Sequence, residues 1–329
     1  MAEIVMGIAT ANSPIVVLEP ELWSTYAEND KRNQDLWDTQ GRHVSYQQLA
    51  ESTGNRYAPL VNAERFRQAS AQIQQALDRQ ARELSEVNPD VVMVFSYVSR
   101  DLFRLDNQPS FYVYCGESMI GKGHQLTPDT PAHVRKQVQA WGQEGHQQFK
   151  VASDFAREFV TALSAHGADP ACADELPDPD QKGFGHTFTF PMMRLMGAKK
   201  FPVVPIALNA IFAPNRPVPK RCYAIGRAIQ SALSEVGGNT RVAVILSGAL
   251  SHFVVNEEID GRVVRGLRED NADLLCDVPV NQLNGQNGQL RMFMTLGGIM
   301  AGHRLQWGEH LSVYRTPAGT GVGLFFARW

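Results

Sequence analysis

The chain has 329 residues, of which 43% are hydrophobic and 20% are charged, and its formal net charge is −3. This composition predicts a large buried core, and the small negative charge excludes a general electrostatic attraction to nucleic acid or acidic membranes. The longest apolar stretch, FPVVPIALNAIFAP, is interrupted by proline and is too short to span a bilayer. We therefore expect partners that are small molecules or other subunits, and neither nucleic acid nor a membrane.

The cysteines and the first residues bear on the compartment in which the protein works. The four cysteines lie far apart and form no CxxC pair, which argues against a structural zinc site and against a disulfide framework. The first residues, MAEIVMGIATANSP, have no basic leader of the kind that a signal peptide carries. Both observations predict a cytoplasmic protein with free thiols.

Short, almost continuously apolar runs alternate along the chain with amphipathic helical patterns. The first half predicts a strand at 4–9, a helix at 66–87, a strand at 91–97 and a helix at 152–163. The second half predicts a loop at 167–185, a strand at 203–208, a helix at 222–236, a strand at 242–247 and a helix that begins at Glu257. Buried strands between helices indicate an α/β fold, with a central, mostly buried sheet flanked by helices. We expect a single domain over residues 1–329.

Several residues with functional side chains directly follow predicted strands. Asn12 follows the first strand, Ser99 follows the strand at 91–97, and His252 follows the strand that ends at Ser247. In sheets of this kind the loops at the carboxyl ends of the strands converge, and binding sites gather there. The sequence therefore predicts that residues far apart along the chain share one pocket.

A set of motifs in a fixed order gives the chain a family resemblance. These motifs are MGIATANSP, GRHVSY, VVMVFSYVSRDLF, GFGHTFTFP, SGALSHFVVNEEID, LNGQNGQLRMF and YRTPAGTGVGLFFARW. Together they resemble the class III extradiol dioxygenases, the LigB-like proteins that cleave catechol-type rings beside two adjacent hydroxyl groups. The resemblance implies a LigB-like α/β fold over nearly the whole chain, and a homo-oligomer.

The resemblance also implies where an iron site would be. In that family Fe²⁺ is held by two histidines and one carboxylate. The motifs put these ligands at Asn12, Ser99 and Gln289, which offer only neutral, weakly basic oxygens. Such a triad should bind Fe²⁺ poorly and would not balance its charge. We therefore expect no cofactor, and Fe²⁺ is the alternative.

Other residues supply nominal metal ligands or catalytic groups. A rebuilt metal site would draw on His43, His186 and His252, together with Glu257 or Glu258, although the two glutamates first fit the start of a helix, where they meet its dipole. The resemblance implies that His252 is the acid–base residue, a role that asks for a group titrating near neutral pH. It implies that His186 is the second catalytic residue, which holds the substrate or an oxygen-derived intermediate.

Substrate binding is the remaining role that the sequence assigns. Asn12, Ser99, Gln289 and His43 are candidates for it, and an ordinary loop histidine bonded to the backbone is the other interpretation of His43. Three arginines could each meet a substrate carboxylate, and the sequence does not rank them: Arg100, Arg291 and Arg315.

Three functions follow from these observations. The first is a metal-independent enzyme that uses histidine acid–base chemistry on a hydroxylated aromatic acid or a compound derived from one, by hydrolysis, hydration, decarboxylation or carbon–carbon cleavage. The second is an Fe²⁺-dependent extradiol dioxygenase acting on catechol-, protocatechuate- or gallate-type substrates. The third is a non-catalytic subunit that pairs with an active homologue. A serine hydrolase is not favoured, because the chain has no G-x-S-x-G elbow.

Overall fold

The computed structural model describes residues 1–97, 102, 107–176, 178 and 183–329. The strands of these residues are β1 (Glu3–Thr10), β2 (Leu36–Trp37), β3 (His43–Val44), β4 (Val91–Tyr97), β5 (Phe111–Tyr114), β6 (Ser118–Ile120), β7 (Gln148–Lys150), β8 (Ala171–Ala173), β9 (Val203–Leu208), β10 (Arg241–Ser247), β11 (His252–Val254), β12 (Trp307–Tyr314) and β13 (Thr320–Arg328). The helices are α1 (Trp23–Lys31), α2 (Tyr46–Thr53), α3 (Ala63–Val87), α4 (Ala132–Ala140), α5 (Ser153–Ala165), α6 (His186–Pro191), α7 (Pro219–Leu233), α8 (Glu257–Arg268), α9 (Ala272–Cys276) and α10 (Leu290–Ile299). A π-helical segment, Met192–Met196, continues α6, and a 3₁₀ segment, Gly285–Gln289, precedes α10.

One large sheet runs through the molecule, in the strand order β11-β13-β1-β10-β4-β9-β5-β8, with β12 also paired to β13. The four strands predicted from the sequence are the parallel strands at its centre, β1, β10, β4 and β9. Their neighbours β13 and β5 run antiparallel to them. The prediction of an α/β fold with a buried central sheet is therefore confirmed.

The two faces of the sheet carry separate apolar cores. Alternate residues of a strand point to opposite faces, so Met93 and Phe95 pack with α5, α7, α8 and α10, while Val92 and Val94 pack with α3 and α6. We call the second side the α3 face. Ile8 of β1 and Ile245 of β10 also point to it.

Close packing of α7 on α10 fixes the position of the chain just before α10. A Cβ atom on Gly226 would lie 2.0 Å from the carbonyl oxygen of Thr295, and one on Gly298 would lie 2.2 Å from that of Tyr223. Both positions therefore need glycine, because the two helix backbones approach directly. Gln289 is the residue before α10, so this contact also fixes Gln289.

Two boundaries differ from the sequence prediction. The predicted loop at 167–185 contains a strand, since β8 pairs with β5 at the end of the sheet. The helix predicted to reach Val236 ends at Leu233. Val236 is still buried, because its side chain belongs to the core that contains α5 and α7, and its carbonyl oxygen accepts a 2.6 Å hydrogen bond from the main-chain N–H of Ala2. Within the described residues, no helix is both long and apolar enough to cross a membrane.

Candidate functional site

Three neighbouring parallel strands each end in a buried hydroxyl residue. Thr10 ends β1, Ser247 ends β10, and Ser96 lies near the end of β4. Thr10 is paired with Ser247 in the sheet register, and Ser96 Oγ donates a 2.9 Å hydrogen bond to the carbonyl oxygen of Ser247. Because these residues lie two positions beyond Ile8, Val94 and Ile245, their side chains point to the α3 face. The carboxyl ends of the central strands thus carry a polar floor on that face.

Asn12 closes one side of this floor. It lies two residues after β1, is only 3% exposed, and its Nδ2 donates a 2.9 Å hydrogen bond to Ser247 Oγ. These two residues are 235 positions apart in the sequence, and the parallel pairing of β1 with β10 brings them together. Asn12 therefore links the end of β1 to the end of β10 through an uncharged hydrogen bond.

Gln289 binds the turn that follows β10, two residues after Ser247. It is 2% exposed, its Oε1 accepts a 2.9 Å hydrogen bond from the main-chain N–H of Ala249, and its Nε2 donates to Gln286 Oε1 at 3.1 Å. Asn12 and Gln289 therefore both bind the turn that follows β10, which begins at Ser247. We call Asn12, Ser247 and Gln289 the amide corner.

His252 begins β11 and is half-buried. Its main-chain N–H donates a 2.7 Å hydrogen bond to Asn287 Oδ1, three residues before α10. Its ring Nδ1 is buried and has no hydrogen-bond partner in the described part of the chain. Burial, together with the positive charge of Arg315, lowers the pKa of His252 to about 3. This pKa lies below the near-neutral range expected from the sequence, and the acid–base role of His252 stays a prediction.

The charge that acts on His252 belongs to a buried ion pair. Arg315 Nε and Nη2 donate to the two carboxylate oxygens of Asp30 at 2.8 and 3.0 Å, and Thr320 Oγ1 donates to Asp30 Oδ2 at 2.8 Å. The side chains of Arg315 and Asp30 are 2% and 5% exposed. A bidentate contact of this kind holds the guanidinium in one orientation.

A second buried acid lies directly behind His252. Asp260, on α8, accepts hydrogen bonds from the main-chain N–H of Ser251 at 2.8 Å and from Ser251 Oγ at 2.6 Å. Burial raises the pKa of Asp260 to about 7. The distance from His310 Nε2 to Asp260 Oδ2 is 4.0 Å, which is too long for a hydrogen bond. Gly323 makes room for this carboxyl group, because a Cβ there would lie 2.0 Å from Asp260 Oδ2.

His186 is the first residue of α6, which packs against β4 and β10. Its half-buried ring stacks on that of Trp141, with the ring centroids 4.0 Å apart and an interplanar angle of 19°. The next residue, Thr187, has a buried hydroxyl without a hydrogen-bond partner among the described residues. The first turn of α6 therefore lies on the α3 face, the same face as the polar floor.

The other predicted residues lie elsewhere or outside the described residues. His43 is exposed on β3, its Nε2 is 2.7 Å from the carbonyl oxygen of Gln34, and its ring is 5.2 Å from that of Trp37. These contacts match the ordinary interpretation of a loop histidine bonded to the backbone. Ser99 and Arg100 lie outside the described residues. Glu257 and Glu258 are in the first turn of α8, as predicted.

Arg291 is buried, and its guanidinium group is bonded to main-chain carbonyl oxygens. It is 1% exposed, its Nε donates to the carbonyl oxygen of Pro217 at 2.9 Å, and its Nη1 donates to those of Ala210 and Leu283 at 3.0 and 2.9 Å. Burial lowers its pKa to about 10. These bonds hold three loops together. They occupy the guanidinium group of Arg291, so Arg315 is the better candidate for substrate binding.

The donor atoms of the amide corner do not fit a ferrous ion. Fe²⁺ sites of this kind use imidazole nitrogens and a carboxylate. At the amide corner the donor of Asn12 is bound to Ser247, and the oxygen of Gln289 is bound to a main-chain N–H. Among the described residues, no three histidine, cysteine, aspartate or glutamate side chains lie together so that they could hold a metal. A site without a metal stays a prediction.

Sequence reasoning missed three parts of the site: the polar floor, the Asp260 carboxyl group and the orientation of Arg315. The floor had a signal, since each of three apolar runs ends in serine or threonine: GIAT, VFS and ILS. Asp260 had none, because an acid in the first turn of a helix is normally a solvated residue.

The fold and this site define an α/β protein with a polar site at the carboxyl ends of its central strands. The chain belongs to the family described as "Catalytic LigB subunit of aromatic ring-opening dioxygenase", which matches residues 59–325. The resemblance inferred from the motifs is thereby confirmed.

Individual relatives are more distant. A 2,3-dihydroxyphenylpropionate/2,3-dihydroxicinnamic acid 1,2-dioxygenase of Mycobacterium ulcerans is 29% identical over 55% of this chain and 49% of its own length. A gallate dioxygenase of Pseudomonas putida is 30% identical over 44% of this chain and 43% of its own. The chain thus matches about half the length of these curated relatives. An uncharacterized protein from Escherichia coli K12 has a TM-score of 0.44 and 11% identity over 75% of this chain and 91% of its own.

Proposed function

We propose that the protein is a metal-independent enzyme that acts on a hydroxylated aromatic acid, or on a compound derived from one, with His252 as its acid–base residue. The candidate reactions are hydrolysis, hydration, decarboxylation and carbon–carbon cleavage. The names of the relatives support the substrate class, since dihydroxyphenylpropionate, dihydroxicinnamic acid and gallate are all aromatic acids with hydroxyl groups.

The amide corner carries this proposal. Asn12 and Gln289 occupy the positions of two iron ligands in the family resemblance, and each makes hydrogen bonds that suit a neutral amide. A glutamate at position 289 would turn an acceptor toward Gln286 Oε1 and would bury a carboxylate, whereas Gln289 supplies both an acceptor and a donor without a charge. The residues around the corner are thus adapted to uncharged side chains, and polar chemistry is the kind that such residues support.

His252 has the environment of a base that becomes stronger when a substrate is bound. Its pKa of about 3 describes the free site, where burial and Arg315 disfavour the imidazolium. A substrate hydroxyl that gives its proton to the imidazole leaves a negative charge beside the new positive charge, and each charge stabilises the other in a partly dehydrated site. The buried hydroxyl of Thr10, which has no partner among the described residues, would stabilise an oxyanion without repelling it.

Ring cleavage by Fe²⁺ is the second candidate function, and the relatives support it as a candidate, because both are named as dioxygenases. It would need a ligand set other than the amide corner. Oxygen consumption separates the two candidates, since the polar reactions consume none and ring cleavage by a dioxygenase does.

The test combines metal analysis with turnover. Purified protein would be analysed for iron and then given a panel of hydroxylated aromatic acids, with and without a chelator, while product formation and oxygen uptake are recorded. We expect turnover without oxygen uptake that survives the chelator and is lost in the His252→Gln variant.

The matched control is His303→Gln. His303 lies between α10 and β12, beside the amino-terminal end of β1, which is the end opposite to the polar floor. Stoichiometric iron with chelator-sensitive oxygen uptake would overturn the proposal in favour of ring cleavage. A protein that turns over nothing and co-purifies with an intact homologue would overturn it in favour of a subunit role.

A further inference from the structure

We propose that Arg315, held in place by Asp30, binds the carboxylate group of the substrate and so makes the site specific for aromatic acids. This inference rests on the proposed function, because it takes the substrate to be an aromatic acid. It assigns to one residue the recognition that the sequence left open among three arginines.

Arg315 uses one edge of its guanidinium group to bind Asp30, and the other edge is available to a ligand. Asp30 takes the hydrogen bonds from Nε and Nη2, which fixes the plane of the guanidinium. Nη1 makes no hydrogen bond to the described residues, and it is not among the fully buried atoms that lack a partner. A carboxylate is the group that best matches an arginine nitrogen fixed in this way.

Sheet register places Arg315 on the same face of the sheet as His252. His252 is paired with Val322 of β13, and Val322 is paired with Val313 of β12, so these three side chains share one face. Val313 and Val322 belong to the core of the α3 face, and Arg315 lies two residues beyond Val313. His252 and Arg315 therefore lie on the same face, with Cα atoms about 12 Å apart from strand spacing and rise. One aromatic ring with its carboxyl group spans such a gap between two side chains.

The electrostatics agree with this placement. The positive charge of Arg315 lowers the pKa of His252, so the two side chains lie close enough to interact. An anion bound at Arg315 would offset the positive charge that His252 experiences, and would make proton uptake by His252 easier.

The other two arginines do not compete for this role. Arg291 donates to three carbonyl oxygens on the α7 side of α10, and Arg100 lies outside the described residues. The opposing interpretation of Arg315 is a purely structural ion pair with Asp30, and it predicts no preference for charged ligands.

The experiment compares two ligands that differ by one charge. Binding of 3,4-dihydroxybenzoate and of its uncharged isostere 3,4-dihydroxybenzamide would be measured by calorimetry, for the wild-type protein and for the Asp30→Asn/Arg315→Gln double variant. The double variant removes both charges together, so that no buried charge is left unpaired. Asp78→Asn/Arg194→Gln, which neutralises an ion pair between α3 and the π-helical segment, is the matched control.

We expect the wild-type protein and the control to bind the benzoate about tenfold or more tightly than the benzamide, because a charged hydrogen bond is lost with the amide. The Asp30→Asn/Arg315→Gln variant should bind both ligands equally, with its affinity for the benzamide unchanged. A preference that survives in this variant, or a wild-type protein without one, would overturn the inference. Binding with the expected preference but no turnover would instead contradict the proposed function and leave the carboxylate site standing.

Discussion

Two parts of the site sit side by side and are built in opposite ways. At the amide corner the polar atoms of Asn12 and Gln289 that bind the turn after β10 are matched by protein partners. Across the floor, His252 has a buried ring nitrogen without a partner among the described residues, and Arg315 has an unused guanidinium edge.

The difference separates residues that fix the backbone from residues that can bind a ligand. Buried polar groups normally have partners, and a group without one costs free energy in the free protein. The hydrogen bonds of the amide corner go to the turn after β10, and they fix the backbone of that turn. His252 and Arg315 keep hydrogen-bonding capacity that a ligand can fill, and the predictions below test this division.

The largest expected effect is on the rate of the reaction in the His252→Gln variant. General acid–base catalysis is worth about a hundredfold to ten-thousandfold, so kcat should fall by that factor. The free energy of unfolding should change little at pH 7, because the main-chain bond to Asn287 is kept and the buried Nδ1 has no partner to lose. Steady-state kinetics and urea denaturation would be compared with those of His303→Gln. A variant that loses stability and activity together would place His252 with the structural part of the site.

The next largest effect is on stability in the Arg315→Met variant. Methionine leaves Asp30 buried without its cation, which costs about 3–5 kcal/mol. The Asp30→Asn/Arg315→Gln variant should recover much of that loss, because no unpaired charge remains. Urea denaturation at pH 7 measures both. Equal losses in the single and the double variant would show that the packing of Arg315, and not its charge, is what matters.

How much of this arrangement the sequence predicts depends on the range of the contacts. The four central strands, α3, α5, α7 and the start of α8 were predictable, because each is a local run with a clear period; α6 and α10, which also contact β4 and β10, were not predicted. The antiparallel strands β11, β12 and β13 were not, although WGEHLSVY in β12 partly alternates, because the prediction rested on apolar runs. The division within the site was out of reach, since Asn12 meets Ser247 across 235 residues and Arg315 meets Asp30 across 285.

A smaller effect on stability distinguishes the two amides of the corner. Gln289→Glu puts an acceptor opposite Gln286 Oε1 and should cost about 1–3 kcal/mol at pH 7. Asn12→Asp should cost less, because the hydroxyl of Ser247 can rotate and become the donor. The loss in Gln289→Glu should shrink toward pH 4, where the protonated carboxyl can donate to Gln286. Denaturation of both variants at pH 7 and pH 4 is the measurement, and a loss in Gln289→Glu that does not depend on pH would contradict this account of the corner.

The smallest effect is a change in how stability depends on pH, and it involves the two buried titratable groups around β11. The pKa of His252 is lowered from 6.5 to about 3, so between these values the unfolded chain binds a proton that the folded chain does not. Its contribution to stability therefore falls as the pH falls. The pKa of Asp260 is raised from 3.8 to about 7, so the folded chain keeps a proton that the unfolded chain releases. Its contribution falls as the pH rises, and the two contributions oppose each other between about pH 4 and 6.5.

Replacing Asp260 by asparagine removes one of these opposing contributions and exposes the other. Relative to the wild type, the free energy of unfolding of Asp260→Asn should rise with pH more steeply, by about 1.4 kcal/mol per pH unit between pH 4 and 6.5. His310 has a lowered pKa as well and contributes with the sign of His252, but it is present in both proteins, so the comparison of slopes largely removes it. Adding His252→Gln to Asp260→Asn should return the slope toward that of the wild type. If the slopes of the wild type and Asp260→Asn coincide, Asp260 is ionised in the folded protein, and its hydrogen bonds from Ser251 then outweigh its burial.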